Sequence, residues 1–128
     1  NYAMHYVALL LAREARYSKP QIKRWGAELK KVKNAEIIIL YGSILEHNNP
    51  KDIDVLVVVD KIKFPKIKRD IEEINRINLK KVHALYQTFD DLVNNIKKRH
   101  NPILNAIKGI VVVGEEKFIE VYNESRKE

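Results

Sequence analysis

The chain has 128 residues, of which 45% are hydrophobic and 32% are charged, with no cysteine and a formal net charge of +7. This much apolar side chain excludes an intrinsically disordered protein, and the lack of cysteine excludes a disulfide framework or a thiolate metal site. We therefore expect a folded domain whose positive charge favours phosphate-rich partners, although an evenly charged, solvated surface would account for the same charge.

The distribution of apolar residues argues against a membrane protein. No apolar run approaches the roughly 20 residues that a membrane-spanning helix needs, so we predict a cytoplasmic protein with no membrane partner. Residue 1 is Asn rather than Met, which suggests that the natural start lies upstream. A further module before this chain is therefore compatible with the sequence.

The N-terminal part of the chain is predicted to be a helical arm. Apolar residues recur at helical spacing over Tyr2–Arg16, with no glycine or proline to interrupt them. Ser18 is a suitable N-cap for a second helix over Pro20–Val32, because proline is tolerated in a first helical turn. We divide the chain into this arm, residues 1–34, and a domain over residues 35–128.

Strands and helices alternate through the rest of the chain. Short β-branched apolar runs predict buried strands, whereas apolar spacings of three and four predict amphipathic helices. The predicted strands cover Ile37–Tyr41, Ile53–Val59, Leu79–Gln87 and Ile110–Val113, and the predicted helices cover Lys66–Ile74, Thr88–Ile96, a segment after Pro102, and Glu115–Tyr122. This order predicts an α/β (α+β) fold, with a mixed, mostly four-stranded sheet and flanking helices.

The second predicted strand opens with two aspartates, Asp52 and Asp54, on either side of Ile53. Residues i and i+2 of a strand point to the same face, so the two carboxylates project together while Ile53 turns into the core. Neighbouring carboxylates repel unless a cation lies between them, and hard oxygen ligands suit Mg²⁺. We predict that Asp52 and Asp54 are catalytic metal ligands; the competing interpretation is that they only end a turn.

The first predicted strand ends in Gly42-Ser43. Gly42 would let the backbone approach a phosphate closely, and Ser43 lies where a following helix would present unpaired N–H groups. We predict that both residues bind a triphosphate. The competing interpretation is a strand-to-helix turn without a ligand.

These two motifs together resemble a known family. The segment Ile37–Val59, IIILYGSILEHNNPKDIDVLVVV, is similar to the polymerase-beta-type nucleotidyltransferase superfamily, in particular its minimal prokaryotic and archaeal members. The likeness extends over about Ile37–Gly114. It implies the nucleotidyltransferase fold and the transfer of a nucleoside monophosphate from a nucleoside triphosphate to a hydroxyl or protein acceptor, with Mg²⁺ or Mn²⁺ as cofactor.

Three departures from the family pattern bear on this activity. The loop Ile44–Lys51 is shorter than is common, and His47 stands where relatives tend to have glycine. The third carboxylate of the family, expected on the third strand, is replaced by His83. Because imidazole suits Mg²⁺ poorly and the third acid helps activate the attacking hydroxyl, we expect transfer to be impaired more than nucleotide binding.

Two further acids are candidates for the missing carboxylate. Asp90 and Asp91 follow the third predicted strand. Their place directly after Thr88, a good N-cap, favours a role in the electrostatics of a helix start instead.

The alternative function is a non-catalytic nucleotide-sensing or regulatory module, either the effector half of a DNA-binding regulator or an antitoxin-like partner of a helical toxin. The resemblance also implies a winged-helix DNA-binding module upstream, as in some archaeal relatives. The basic second helix is itself a candidate guide for an RNA or DNA acceptor. Base preference, acceptor and oligomeric state are left open.

Overall fold

A four-stranded sheet carries helices on both faces in the computed structural model, which describes Met4 and residues 19–127. The strands are β1 (Ile37–Tyr41), β2 (Ile53–Val58), β3 (Val82–Gln87) and β4 (Ile110–Val113). The helices are α1 (Pro20–Leu29), α2 (Phe64–Ile77), α3 (Phe89–Lys97), α4 (Asn101–Ala106) and α5 (Glu115–Ser125), and a 3₁₀ turn follows β1 over Gly42–Leu45. The predicted α/β (α+β) fold with a mixed sheet is confirmed.

The strands lie in the order β3-β2-β1-β4. Strand β1 is antiparallel to β2 and to β4, whereas β2 and β3 are parallel. The two central strands are buried almost throughout, as their continuous apolar sequences require. The register pairs Tyr41 with Asp54 and Asp54 with His83, so these three residues form a row across one end of the sheet.

Each face of the sheet has its own hydrophobic core. Alternate residues of β1 and β2 pack on one face against the apolar stripes of α1 and α2, and the others pack on the opposite face against α3, α4 and α5. In α1 the buried side chains are Ile22, Trp25 and Leu29. This part of the predicted N-terminal arm is therefore integral to the core of the domain.

Helix α1 begins at Pro20, as predicted, and ends before the predicted Val32. Its N-cap is Lys19, whose side chain makes no capping hydrogen bond, and Pro20 occupies the first turn. The helix ends at Leu29 and the chain continues in a turn, although Val32 still packs into the core. Ser18, the predicted N-cap, lies outside the described residues.

Other element bounds moved by a few residues. Helix α2 is longer at both ends than the predicted Lys66–Ile74, and Pro65 lies in its first turn. Strand β3 begins at Val82 instead of Leu79, because Leu79 is fully exposed and does not join the sheet. Within the described residues, no helix has the length and apolarity needed to cross a membrane.

The predicted helix over Tyr2–Arg16 falls, apart from Met4, outside the residues that the structure describes.

Candidate functional site

The two aspartates lie at the start of β2 on one face of the sheet. Ile53 and Val55 pack into the core on the α1 and α2 side, so Asp54 faces the opposite side, with Leu56. Asp52 directly precedes the strand, and both carboxylates are partly exposed. The two aspartates are thus neighbours at the start of one strand, and Asp54 has the orientation that strand alternation predicts.

Gly42 lies in contact with Asp54. Its φ of +82° is in the left-handed region, and a Cβ at this position would lie 2.6 Å from Asp54 Oδ2 and 3.4 Å from Asp54 Cγ. The backbone conformation therefore favours glycine here, and any other residue would also displace the neighbouring carboxylate oxygen. The glycine-serine turn and the aspartate pair meet at one corner of the sheet.

Ser43 follows in the 3₁₀ turn and is partly buried. Its carbonyl oxygen accepts hydrogen bonds from the N–H groups of Glu46, at 3.0 Å, and His47, at 2.8 Å. The expected following helix is thus only one four-residue turn, so its dipole is small. His47 does not adopt a positive φ, and its bond to Ser43 closes the turn that glycine was expected to form.

His83 stands in register with Asp54 on the neighbouring parallel strand. Its Nε2 lies 3.7 Å from Asp52 Oδ1, which is too long for a hydrogen bond, and its side chain is 61% exposed. An exposed pair of this kind contributes little to stability even when the histidine is charged. The position at which a third acid was expected therefore adjoins both aspartates and is occupied by an imidazole.

The start of β3 is held in place by Asn75 of α2. The Asn75 amide donates to the carbonyl of Val82 at 3.0 Å and accepts from the N–H of Val82 at 2.7 Å. Lys81 Nζ donates to the carbonyl oxygens of Asn75 and Asn78 near the end of α2. The Asn75 bonds satisfy the backbone groups of Val82 at the open edge of β3 and hold the backbone directly before His83.

Tyr41 is a neighbour of the site that the sequence analysis did not single out. It pairs with Asp54 in the register of β1 and β2. Burial raises the pKa of the Tyr41 phenol, and the Asp54 carboxylate raises it further. Only the cross-strand register identifies this neighbour, because in the sequence Tyr41 is simply the last residue of an apolar strand.

Asp90 and Asp91 do not join the site. They lie in the first turn of α3, where Thr88 Oγ1 accepts a hydrogen bond of 3.1 Å from the Asp91 N–H. Strand β3 separates them from His83, a span of roughly 16 Å at 3.3 Å per residue. The interpretation of Thr88 as an N-cap and of these acids as helix-start charges is confirmed.

The charge pattern bears on whether a cation fits at this corner. Among residues 19–127, no lysine or arginine forms an ion pair with Asp52 or Asp54, although the chain carries a net charge of +7. The same residues contain no cluster of three or more His, Cys, Asp or Glu side chains that could hold a metal ion. Proteins can also bind Mg²⁺ through one or two carboxylates, with water and substrate phosphates completing its shell, so this mode of binding does not need such a cluster.

Comparison of the chain with known protein families, with curated proteins and with solved structures found no match.

Proposed function

We propose that this domain binds a nucleoside triphosphate together with Mg²⁺ or Mn²⁺ at the corner formed by Gly42, Ser43, Asp52 and Asp54, and transfers a nucleoside monophosphate to a hydroxyl acceptor. The contact between Gly42 and the Asp54 carboxylate is the observation that carries this proposal. It brings the partly buried glycine-serine turn to one of two neighbouring acids that form no ion pair with lysine or arginine within residues 19–127, as a site for a polyphosphate and its cation requires.

In the proposed site, Asp52 and Asp54 hold the metal ion, which supplies neutralisation of phosphate charge when it is bound. The Ser43 hydroxyl and the N–H groups of the turn donate hydrogen bonds to phosphate oxygens. Gly42 keeps the turn free of a side chain, so that the phosphate chain can lie against the backbone. These interactions place the α-phosphorus beside the aspartates.

The transfer itself is a displacement at phosphorus. The acceptor oxygen forms a bond to the α-phosphorus, the bond from that phosphorus to the bridging oxygen breaks, and pyrophosphate leaves with its electron pair. The proton of the acceptor hydroxyl passes to a base or to water. Because His83 stands beside the aspartates in place of a third carboxylate, we expect slow transfer.

The test is incubation of the chain with each of the four ribonucleoside triphosphates labelled at the α-phosphate, with Mg²⁺ or Mn²⁺ and with RNA or protein acceptors. We expect label on an acceptor, and its loss in Asp54→Asn. Asp90→Asn is the matched control, because this acid lies at the other end of β3. Label transfer that is equal in both variants would refute the proposed site.

A second function, nucleotide binding without transfer, is favoured by one observation. His83 lies in register with Asp54 and 3.7 Å from Asp52, where a protonated imidazole would oppose metal binding and a neutral one would be a poor Mg²⁺ ligand. A regulatory module with this site would bind nucleotide in a metal-dependent manner and form no product. Calorimetry with Mn²⁺ and each nucleoside triphosphate distinguishes the two functions, and absence of binding contradicts both.

A further inference from the structure

A cavity of about 400 Å³ lies at the same end of the sheet as the aspartates, lined by residues of α1, of the loop before Asp52 and of the turn that leads from α2 to β3. Asn49 and Lys80, which belong to its lining, precede Asp52 and His83 by three residues each. Helix α1 packs on the face of the sheet opposite the aspartates. The cavity is therefore a separate concavity from the aspartate corner.

The charged residues of this lining are all basic. Arg24 donates one hydrogen bond to Asn78 Oδ1 at 3.0 Å, and Lys80 Nζ donates to Asn49 Oδ1. Arginine carries five N–H donors and lysine three, so both retain donors for a ligand. The remaining polar lining consists of amide side chains, and no carboxylate takes part. Such a lining selects an anion with several acceptor oxygens.

Trp25 adds an unsatisfied donor. Its side chain is fully buried and contributes to the cavity lining, and its Nε1 has no hydrogen-bond partner among the described residues. A buried N–H without an acceptor is costly and unusual in a folded protein. The Arg24 guanidinium lies over the indole at 4.6 Å from the ring centroid, so a ligand that binds this arginine would change the surroundings of the indole.

The cavity also has apolar walls. Ile77 is 57% exposed and Leu79 is fully exposed, although both are large and hydrophobic. Exposed apolar side chains beside cationic ones suit a ligand that joins a charged group to a flat apolar one. A nucleotide unit has this composition.

We infer that this cavity binds single-stranded nucleic acid, with a phosphate held by Arg24 and Lys80 and a base lying against Leu79. An acidic peptide is the competing occupant. Nucleic acid is favoured because the segment from Pro20 to Lys33 carries five basic residues against the single acid Glu28, which already pairs with Lys31 at 2.7 Å. A continuous phosphate backbone matches such a basic segment. The inference needs no transfer chemistry, since it concerns binding alone.

The experiment titrates the whole chain with a short single-stranded RNA of mixed sequence, without metal or nucleoside triphosphate. Trp25 is the only tryptophan in the chain, so a ¹H–¹⁵N spectrum contains one indole N–H signal that reports on this cavity. We expect that signal to shift on binding. We also expect Arg24→Gln and Lys80→Gln to weaken binding, and each to flatten the slope of log affinity against log salt by about 0.7.

Lys68→Gln is the matched control, because Lys68 is an exposed lysine on α2 outside the cavity lining. It should leave the slope unchanged. Arg24→Gln also removes the hydrogen bond of Arg24 to Asn78, so a loss of binding in this variant would also follow from a change in folding. Lys80→Gln tests the same cavity without removing that bond. RNA that fails to bind, or that binds with an unmoved indole signal, overturns the inference. So does polyglutamate that shifts the signal when RNA does not.

Discussion

The Asp54 carboxylate lies so close to the Cα of Gly42 that a Cβ on the glycine would approach Oδ2 to 2.6 Å. The positive φ of Gly42 makes the same position unfavourable for other residues. Gly42→Ala should therefore lower the free energy of unfolding by about 2 kcal/mol or more, of which the left-handed backbone accounts for roughly 1–2 kcal/mol.

A double-mutant cycle separates these two causes. In an Asp54→Ala background the carboxylate is absent, so Gly42→Ala should cost only the backbone contribution. Urea denaturation of the four proteins measures the coupling. Equal costs of Gly42→Ala in both backgrounds would show that the contact with Asp54 does not constrain residue 42.

Removing the charge of Asp54 should not destabilise the metal-free protein. Asp54 lies two residues from Asp52 and has no ion-pair partner within residues 19–127, so Asp54→Asn removes like-charge repulsion and should leave the free energy of unfolding unchanged or slightly higher. Asp90→Asn should have the opposite sign, a loss of about 0.3–1 kcal/mol, because Asp90 lies in the first turn of α3.

Addition of metal ion and nucleotide should reverse the order of stability of the Asp54→Asn and Asp90→Asn proteins. Saturation with Mn²⁺ and a bound nucleoside triphosphate at 100 times its dissociation constant should stabilise the unmodified chain and Asp90→Asn by about 2.7 kcal/mol. The Asp54→Asn protein should gain much less. Thermal unfolding with and without the ligands measures this, and an equal gain in Asp54→Asn would contradict metal binding by Asp54.

Restoring a carboxylate at position 83 should increase transfer. His83 is in register with Asp54 and near Asp52, so His83→Asp would add a third acid beside the first two. General acid–base groups typically contribute 10²–10⁴-fold to rate, so we expect at least about a tenfold increase in label transfer. His83→Asn removes the imidazole without adding an acid and should not produce this gain. Equal rates in the two variants would exclude a role for a carboxylate here.

The raised pKa of Tyr41 predicts how the free energy of unfolding changes with pH in the alkaline range. Burial, and secondly the Asp54 carboxylate, raise the pKa of the Tyr41 phenol above its ordinary value of 10.0. The folded state therefore favours the neutral phenol, so this stabilisation is complete below that ordinary value and is lost as pH rises through the folded-state pKa. Burial raises the pKa of Tyr86 with the same sign.

In Tyr41→Phe, the free energy of unfolding should therefore fall less steeply with pH above the ordinary tyrosine pKa. The double variant with Tyr86→Phe should show a still smaller slope. Asp54→Asn should reduce the alkaline dependence only in part, because burial is the larger cause. Denaturation at a series of alkaline pH values gives these slopes. A slope that is the same with and without Tyr41 would contradict the stated origin of the shift.

Short sequence patterns predicted many of the strands and helices, because these elements depend on interactions between residues close together in the chain. The β-branched runs at Ile37–Tyr41 and Ile110–Val113 became strands with those same bounds. Thr88 was identified as an N-cap from its own side chain and the acids after it, and its hydroxyl does accept the expected bond. Such features need only a few consecutive residues, so propensity and periodicity suffice.

Features that depend on distant segments were missed. The backbone groups of Val82 at the open edge of β3 are bonded by Asn75, an amide that in the sequence belongs to an ordinary amphipathic helix. Tyr41 lies at the site because it pairs with Asp54 on the neighbouring strand. Trp25 lines a cavity together with residues of the turn before β3. None of these relationships has a local signature, because each joins segments that are far apart in the chain.

The sequence by itself determined that a strand would begin at Ile53, between Asp52 and Asp54, and that a glycine would end the strand before it, because strand propensity and the glycine-specific backbone are properties of single segments. Only the tertiary structure decided that Gly42, Asp54 and His83 meet. Antiparallel pairing of β1 with β2 and parallel pairing of β2 with β3 set that register, and such pairing is chosen by burial of both faces of the sheet, which no segment achieves alone.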